Sequence, residues 1–220
     1  MNNTEFIERN IGLDETFIRV IKTPTHFKVS STTELKAASL FMPASKNGIL
    51  DGVSVDRAIY STTLQTKLRA HAHFPRKPED EVIPYAGLAF ISVAKILNLN
   101  NLSMKQLMPS AAKDPSKVEQ TLADINNLLA GFDTSCMADC PYCGVIATPM
   151  NESERVPPPT NVSISESGNP SHAEIFYMVR PARPADPLAT IVQELARHMN
   201  RSAIIRLDPN PDSEDNAPSL

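Results

Sequence analysis

Three cysteines, Cys136, Cys140 and Cys143, fall within eight residues of a 220-residue chain that has no others. Thiolates at such spacing hold a metal, exchange electrons as a pair, or stay reduced and do neither. In Cys140-Pro141-Tyr142-Cys143-Gly144 a tight turn can aim two sulfurs at one ion, and the glycine relieves the backbone where the turn ends. Cys136 supplies a third sulfur. A structural zinc takes four ligands, so the last must be His172, His71, His73, His198, Asp139 or a group from another chain. His172 is selected because it is the next histidine downstream and follows the stiff Pro157-Pro158-Pro159 spacer, which can turn the chain back. The expected metal set is therefore Cys136, Cys140, Cys143 and His172, with zinc as cofactor and local folding as its role. No catalytic residue is assigned.

The same residues carry resemblances. Cys140 to Gly144 resembles a zinc knuckle. The C-x3-C-x2-C spacing with Tyr142 before the last cysteine is similar to the motif of radical S-adenosylmethionine enzymes, which implies three thiolates on a [4Fe–4S] cluster with one iron open. Those enzymes place the motif near the start of a long barrel, whereas here it stands past the middle of the chain. Cys140-Pro141-Tyr142-Cys143 also looks like a glutaredoxin redox pair, which implies a first thiol made acidic at a helix N-terminus. Glutaredoxins place that pair after their first strand. A thiol-redox or iron–sulfur enzyme is accordingly the alternative to zinc, and reduced thiols that bind nothing complete the set.

Other polar residues offer less. In Arg69-Ala70-His71-Ala72-His73 the two histidines share a side on a strand but diverge by about 200° on a helix. With Lys67, Arg69, Arg76 and Lys77 the region is basic enough for a phosphate contact, although a solvated face is the expectation. Asp56, Arg57 and His172 interrupt apolar strands. Asp56 and Arg57 are expected to point to opposite faces and pair with solvent, and His172 to bond a nearby carbonyl.

The elements that position these residues follow from periodicity. Phe17–Ile21, Leu40–Met42, Gly52–Ala58, His172–Val179 and Ala203–Leu207 read as strands, and Ala86–Ile91 as a buried strand that becomes a helix. Thr63–Ala70 continues as a helix. Asp114-Pro115 and Asp186-Pro187 are N-cap and first-turn devices. They precede amphipathic helices over Ser116–Ala130 and Leu188–Met199, with Leu122, Ile125, Ile191 and Leu195 expected in the core. Strands and helices alternate without βαβ repetition, so the fold class is α+β, a small mixed sheet with flanking helices. One domain is expected over 1–207, with an insertion at about 100–160 that bears the cysteines and a disordered tail at 208–220.

Two segments bear a further resemblance. Asp51-Gly52-Val53-Ser54-Val55-Asp56-Arg57 and Gly168-Asn169-Pro170-Ser171-His172-Ala173-Glu174-Ile175 are similar to D-G-x-S-V-x-R and N-P-x-H-A-x-I strands in a broad bacterial family of small proteins without an assigned activity. The resemblance implies a shared scaffold on which the 100–160 span is an insertion. It implies no catalytic role.

Composition narrows the function classes. Seven glycines and nineteen prolines argue against a glycine-rich phosphate loop, and a formal net charge of −4 provides no field for nucleic acid. The N-terminus has no long apolar run and no segment has the length of a membrane span, which points to the cytoplasm. The sum is a non-enzymatic accessory or interaction protein with an unidentified protein partner.

Overall fold

The computed structural model describes residues 10–29, 31, 33–43, 45–46, 49–50, 52–73, 85–107, 116, 119–120, 123, 142–147, 169, 171–177 and 187–220. In chain order the elements are β1 (Thr16–Lys22), β2 (Ser45–Lys46), β3 (Ile49–Leu50), β4 (Val53–Arg57), α1 (Thr63–His73), β5 (Tyr85–Ser92) and α2 (Val93–Leu97). A 3₁₀ turn (Asn98–Asn101), α3 (Met104–Leu107), β6 (Cys143–Ala147), β7 (His172–Tyr177), α4 (Pro187–Ser202) and β8 (Ile204–Leu207) follow. Six strands make one sheet in the order β6-β7-β4-β1-β5-β8, antiparallel at every ladder, and β2 pairs with β3 apart from it. The fold class is α+β, as the sequence predicts.

Alternation along the strands sends side chains to two apolar layers. Phe17, Ile21, Val53, Val55, Ala89, Ile91, Ala173, Ile175 and Tyr177 meet α4 on one face of the sheet. Ile18, Leu88, Phe90 and Tyr85 meet Ala70 of α1 in a smaller cluster. Within α4 the residues Ile191, Val192, Leu195, Ala196 and Met199 are wholly buried, a stripe at helical spacing. Removing one methyl there, by Ile191→Val, is expected to cost about 1 kcal/mol in urea denaturation. A midpoint unchanged within error would mean the stripe is not packed as described.

Local chemistry explains the boundaries. At the start of α1, Thr62 Oγ1 accepts from Gln65 N at 3.1 Å while Gln65 Oε1 accepts from Thr62 N at 2.9 Å, a reciprocal capping box. Ser92 ends β5 and caps α2, its Oγ accepting from Lys95 N at 3.4 Å. Gly87 has φ +153°, and a Cβ there would lie 2.3 Å from the Arg206 carbonyl oxygen of β8. Only glycine suits this point, beside the register shift between β1 and β5.

Some segments differ from expectation. Leu40–Met42 is no strand: Leu40 and Phe41 lie in a turn and are 0% exposed, so the apolar run is a core plug, a use that a short run cannot signal by its period. Of the helix over Ser116–Ala130, the described residues Ser116, Glu119, Gln120 and Ala123 are helical and exposed, at the spacing of one outward face. Leu122 and Ile125 lie outside the described residues, as does most of the 100–160 span. The tail 208–220 was expected to be disordered; instead, Asp208, Asn210 and Asn216 all bond to Lys67, because that buried ammonium needs acceptors. No helix among the described residues is long and apolar enough to cross a membrane.

Candidate functional site

The two polar-bearing strands pair with each other. In the β4–β7 ladder Asp56 stands opposite His172, Val55 opposite Ala173 and Val53 opposite Ile175, and Arg57 N donates to Ser171 O at 2.7 Å. Alternation puts Val53, Val55, Ala173 and Ile175 in the α4 layer, so Asp56 and His172 belong to the α1 side. Both are buried, 8% exposed.

Asp56 is the centre of a polar network there. Its Oδ2 accepts from Thr66 Oγ1 at 2.8 Å and Arg69 Nη2 at 2.9 Å, both from α1. Its Oδ1 accepts from Asn169 Nδ2 and Ser171 Oγ, each at 3.0 Å, from the approach to β7. Arg69 Nη2 also donates to Ser171 Oγ at 3.1 Å and to Ser61 Oγ, whose oxygen lies 3.0 Å from Thr66 Oγ1. Burial raises the Asp56 pKa, but the Arg69 charge and the bonds from Arg69, Asn169 and Thr66 outweigh it and hold the carboxyl below the usual range. A carboxylate with four donors is a structural acceptor, poorly suited to take a proton from a substrate. The Ser171 hydroxyl is likewise held between Asp56, Arg69 and an Asn169 oxygen at 2.6 Å.

Arg57 points away into its own pair. Its Nε and Nη2 reach Glu15 Oε2 and Oε1 at 2.8 and 2.7 Å, Nη2 also donates to Asn10 O at 3.0 Å, and the guanidinium lies 4.8 Å from the Tyr60 ring centre. Burial pushes the Glu15 carboxyl up, and it is outweighed by the Arg57 hydrogen bond, the Gly12 amide and the Arg57 charge, so the carboxyl sits below its ordinary value. The solvent pairing expected of Asp56 and Arg57 is therefore corrected: both are closed off in ion pairs with their own chain. The basic stretch of α1 is corrected in the same way. Arg69 is taken by Asp56, and the Lys67 side chain is 0% exposed against Asp208. His71 packs edge-on against Tyr85 at 5.4 Å, and it shares α1 with His73, at positions about 200° apart around the helix axis. Arg76 and Lys77 lie outside the described residues.

Of the expected metal set, Cys143 and His172 are among the described residues, and they stand apart. Cys143 opens β6 opposite Tyr177, is 0% exposed, and its thiol donates to the Ile96 carbonyl at 3.6 Å. Asn100 pins it, accepting from the Tyr142 and Cys143 amides at 3.1 Å each and donating to the Cys143 carbonyl at 2.9 Å. His172 stands at the far end of β7, about 16 Å along the strand, and on the opposite face of the sheet. Cys143 and His172 thus do not fit one zinc ion, which corrects the choice of His172 as fourth ligand. The reason is strand register, which no spacing argument sees. Cys136, Cys140 and Asp139 lie outside the described residues, and among the described residues no three His, Cys, Asp or Glu side chains converge on a metal position.

A second buried histidine escaped sequence reasoning. His26 returns to β1 after the turn, where its N–H donates to Lys22 O and its Nδ1 accepts from Lys22 N, each at 3.0 Å. Burial, then the charges of Arg19, Lys22 and Lys36, push its imidazole down to about 3, so it is neutral with its proton on Nε2. The Asp56 partners Ser171, Asn169 and Arg69 were also missed as a group. The signal available was the polar cluster Asn169, Ser171 and His172 at the mouth of an apolar strand. Comparison of the chain with protein-family models, with curated proteins and with solved structures gives no match.

Proposed function

We propose that the protein is a non-enzymatic interaction module that acts in the cytoplasm on a protein partner. The observation that carries this reading is where, among the described residues, large apolar side chains of the six-stranded sheet reach the surface. They do so on the two outer strands, Ile146 on β6 at 48% exposed, and Ile204 and Leu207 on β8 at 41% and 37%. An outer strand offers backbone donors and acceptors to an incoming extended segment, and apolar side chains beside them add affinity. The polar groups inside the fold support the same reading, since Asp56, Arg57 and Lys67 are engaged by their own chain. Thiol exchange needs a sulfur that a second thiol can reach, and the Cys143 sulfur is in the core against the Ile96 carbonyl, which weighs against the thiol-redox alternative.

The test is direct titration of a partner recovered by cross-linking in cells that make the protein. Ile204→Lys with Leu207→Lys alters the β8 edge and leaves the Asp56 network in place. Binding at least tenfold weaker than wild type, with an unchanged circular dichroism spectrum, is expected. Equal binding by both chains would overturn the edge as the docking element. Metal analysis of anaerobically purified full-length chain addresses the enzyme class: iron with acid-labile sulfide, lost in Cys140→Ser, would replace the interaction reading with the iron–sulfur one.

A further inference from the structure

We propose that the segment Asp208–Leu220 is a detachable strap, an intramolecular peptide ligand seated on α1 and β5, whose recognition centre is the Lys67 ammonium. An ammonium has three N–H donors. Those of Lys67 go to Asp208 Oδ2 at 2.8 Å, Asn210 O at 2.9 Å and Asn216 O at 2.8 Å, so the strap supplies three acceptors at hydrogen-bond distance. The lysine side chain is 0% exposed and the Asp208 side chain 5%, and the nitrogen lies 5.2 Å from the centre of the Tyr85 ring. One charge therefore organises a loop of chain about itself.

The rest of the strap follows from that centre. Asp208 N donates to Ala86 O at 2.9 Å, extending the β5–β8 ladder by one bond. Asp208 Oδ1 then accepts from Asn210 N at 2.9 Å, and Ser213 N donates to Asn210 O at 3.1 Å, which turns the chain. Beyond β8 the segment has no helix or strand of its own, and Leu220 at its end is 65% exposed. Apolar burial is thus a minor part of its docking. Pro209, Pro211 and Pro218 stiffen the chain, which lowers the conformational entropy lost on seating. The seat reads one carboxylate and two carbonyls of an acidic peptide turned about the ammonium, a chemistry that a detached strap leaves open to the same peptide supplied from outside.

Amide hydrogen exchange on the full-length chain tests the latch. In Lys67→Met and Asp208→Asn the hydrogen-bonded amides of Asn210, Ser213 and Asp215 are expected to exchange at least tenfold faster than in wild type. Those of 87–92 and 191–199 should change less than twofold. Asp208→Asn keeps the shape of the side chain, so it decides the matter if Lys67→Met does not fold. A fluorescent peptide of sequence 208–220 then tests the seat. It is expected to bind the Asp208→Asn chain at least tenfold more tightly than wild type, whose own strap competes at an effective concentration on the order of millimolar. It should not bind Lys67→Met. Unchanged exchange at Asn210, Ser213 and Asp215 in both variants would overturn the strap, and equal peptide binding by Asp208→Asn and Lys67→Met would overturn Lys67 as its recognition centre.

Discussion

Replacing Arg57 by methionine is expected to destabilise the protein by about 3–5 kcal/mol, the cost of leaving a buried carboxylate without its counter-charge. The Arg57 and Glu15 side chains are 1% and 8% exposed and meet through two bonds, so neither can recover its lost partner from water. The pair joins β4 to the segment ahead of β1, and Glu15 Oε1 also accepts from Gly12 N at 2.7 Å. Glu15→Gln combined with Arg57→Met removes the unpaired charge and keeps an acceptor for Gly12. The double variant is expected to be more stable than Arg57→Met alone. Urea denaturation at pH 7 measures both. A loss below about 1 kcal/mol in Arg57→Met would mean that the pair is open to solvent.

Between pH 7 and pH 5 the wild-type protein is expected to lose about 2 kcal/mol of stability through His26, and His26→Asn is expected to remove that slope. In the unfolded chain the imidazole titrates at its ordinary 6.5, whereas in the fold it is pushed down to about 3. Below pH 6.5 the unfolded state therefore takes up a proton that the folded state refuses. Stability is full above pH 6.5 and falls as the pH drops toward 3. Asparagine does not titrate, and its side-chain oxygen can accept from Lys22 N where Nδ1 does now. The carboxyls of Glu15, Asp56 and Asp208 are held low and contribute stability that is lost only in stronger acid, below about pH 4. Burial, then the Lys67 charge, also lowers His71, which adds a slope of the same sign, so the share of His26 is read as the difference between wild type and His26→Asn. Thermal unfolding of both chains at several pH values measures the difference. Parallel curves would show that His26 accepts a proton in the fold.

The sequence by itself determined the elements that have a local signature. Short strand-like runs announced β1, β4, β7 and β8; the continuous apolar run at Ala86–Ile91, which suits a strand or a helix and is favoured as strand, is β5, and the switch to helix expected after Ile91 falls at Ser92. Asp186-Pro187 and the spacing of Ile191, Leu195 and Met199 announced α4 and its buried stripe. Such signals work because each residue's preference for a face is set by neighbours a few positions away. They say which way a side chain turns, and they are silent on what stands across from it.

Only the tertiary structure decided the partners. Asp56 is bonded by Arg69 from a helix thirteen positions on and by Asn169 from a segment 113 positions on, and Lys67 finds Asp208 at a separation of 141. Cys143 illustrates the same limit from the other side. Its spacing from Cys140 suits a metal turn, yet the register of β6 on β7 points its sulfur into the core and leaves His172 on the opposite face. Strand order and register bring distant positions together, and they arise from burying two apolar faces at once, a condition on the whole chain that no window of sequence contains.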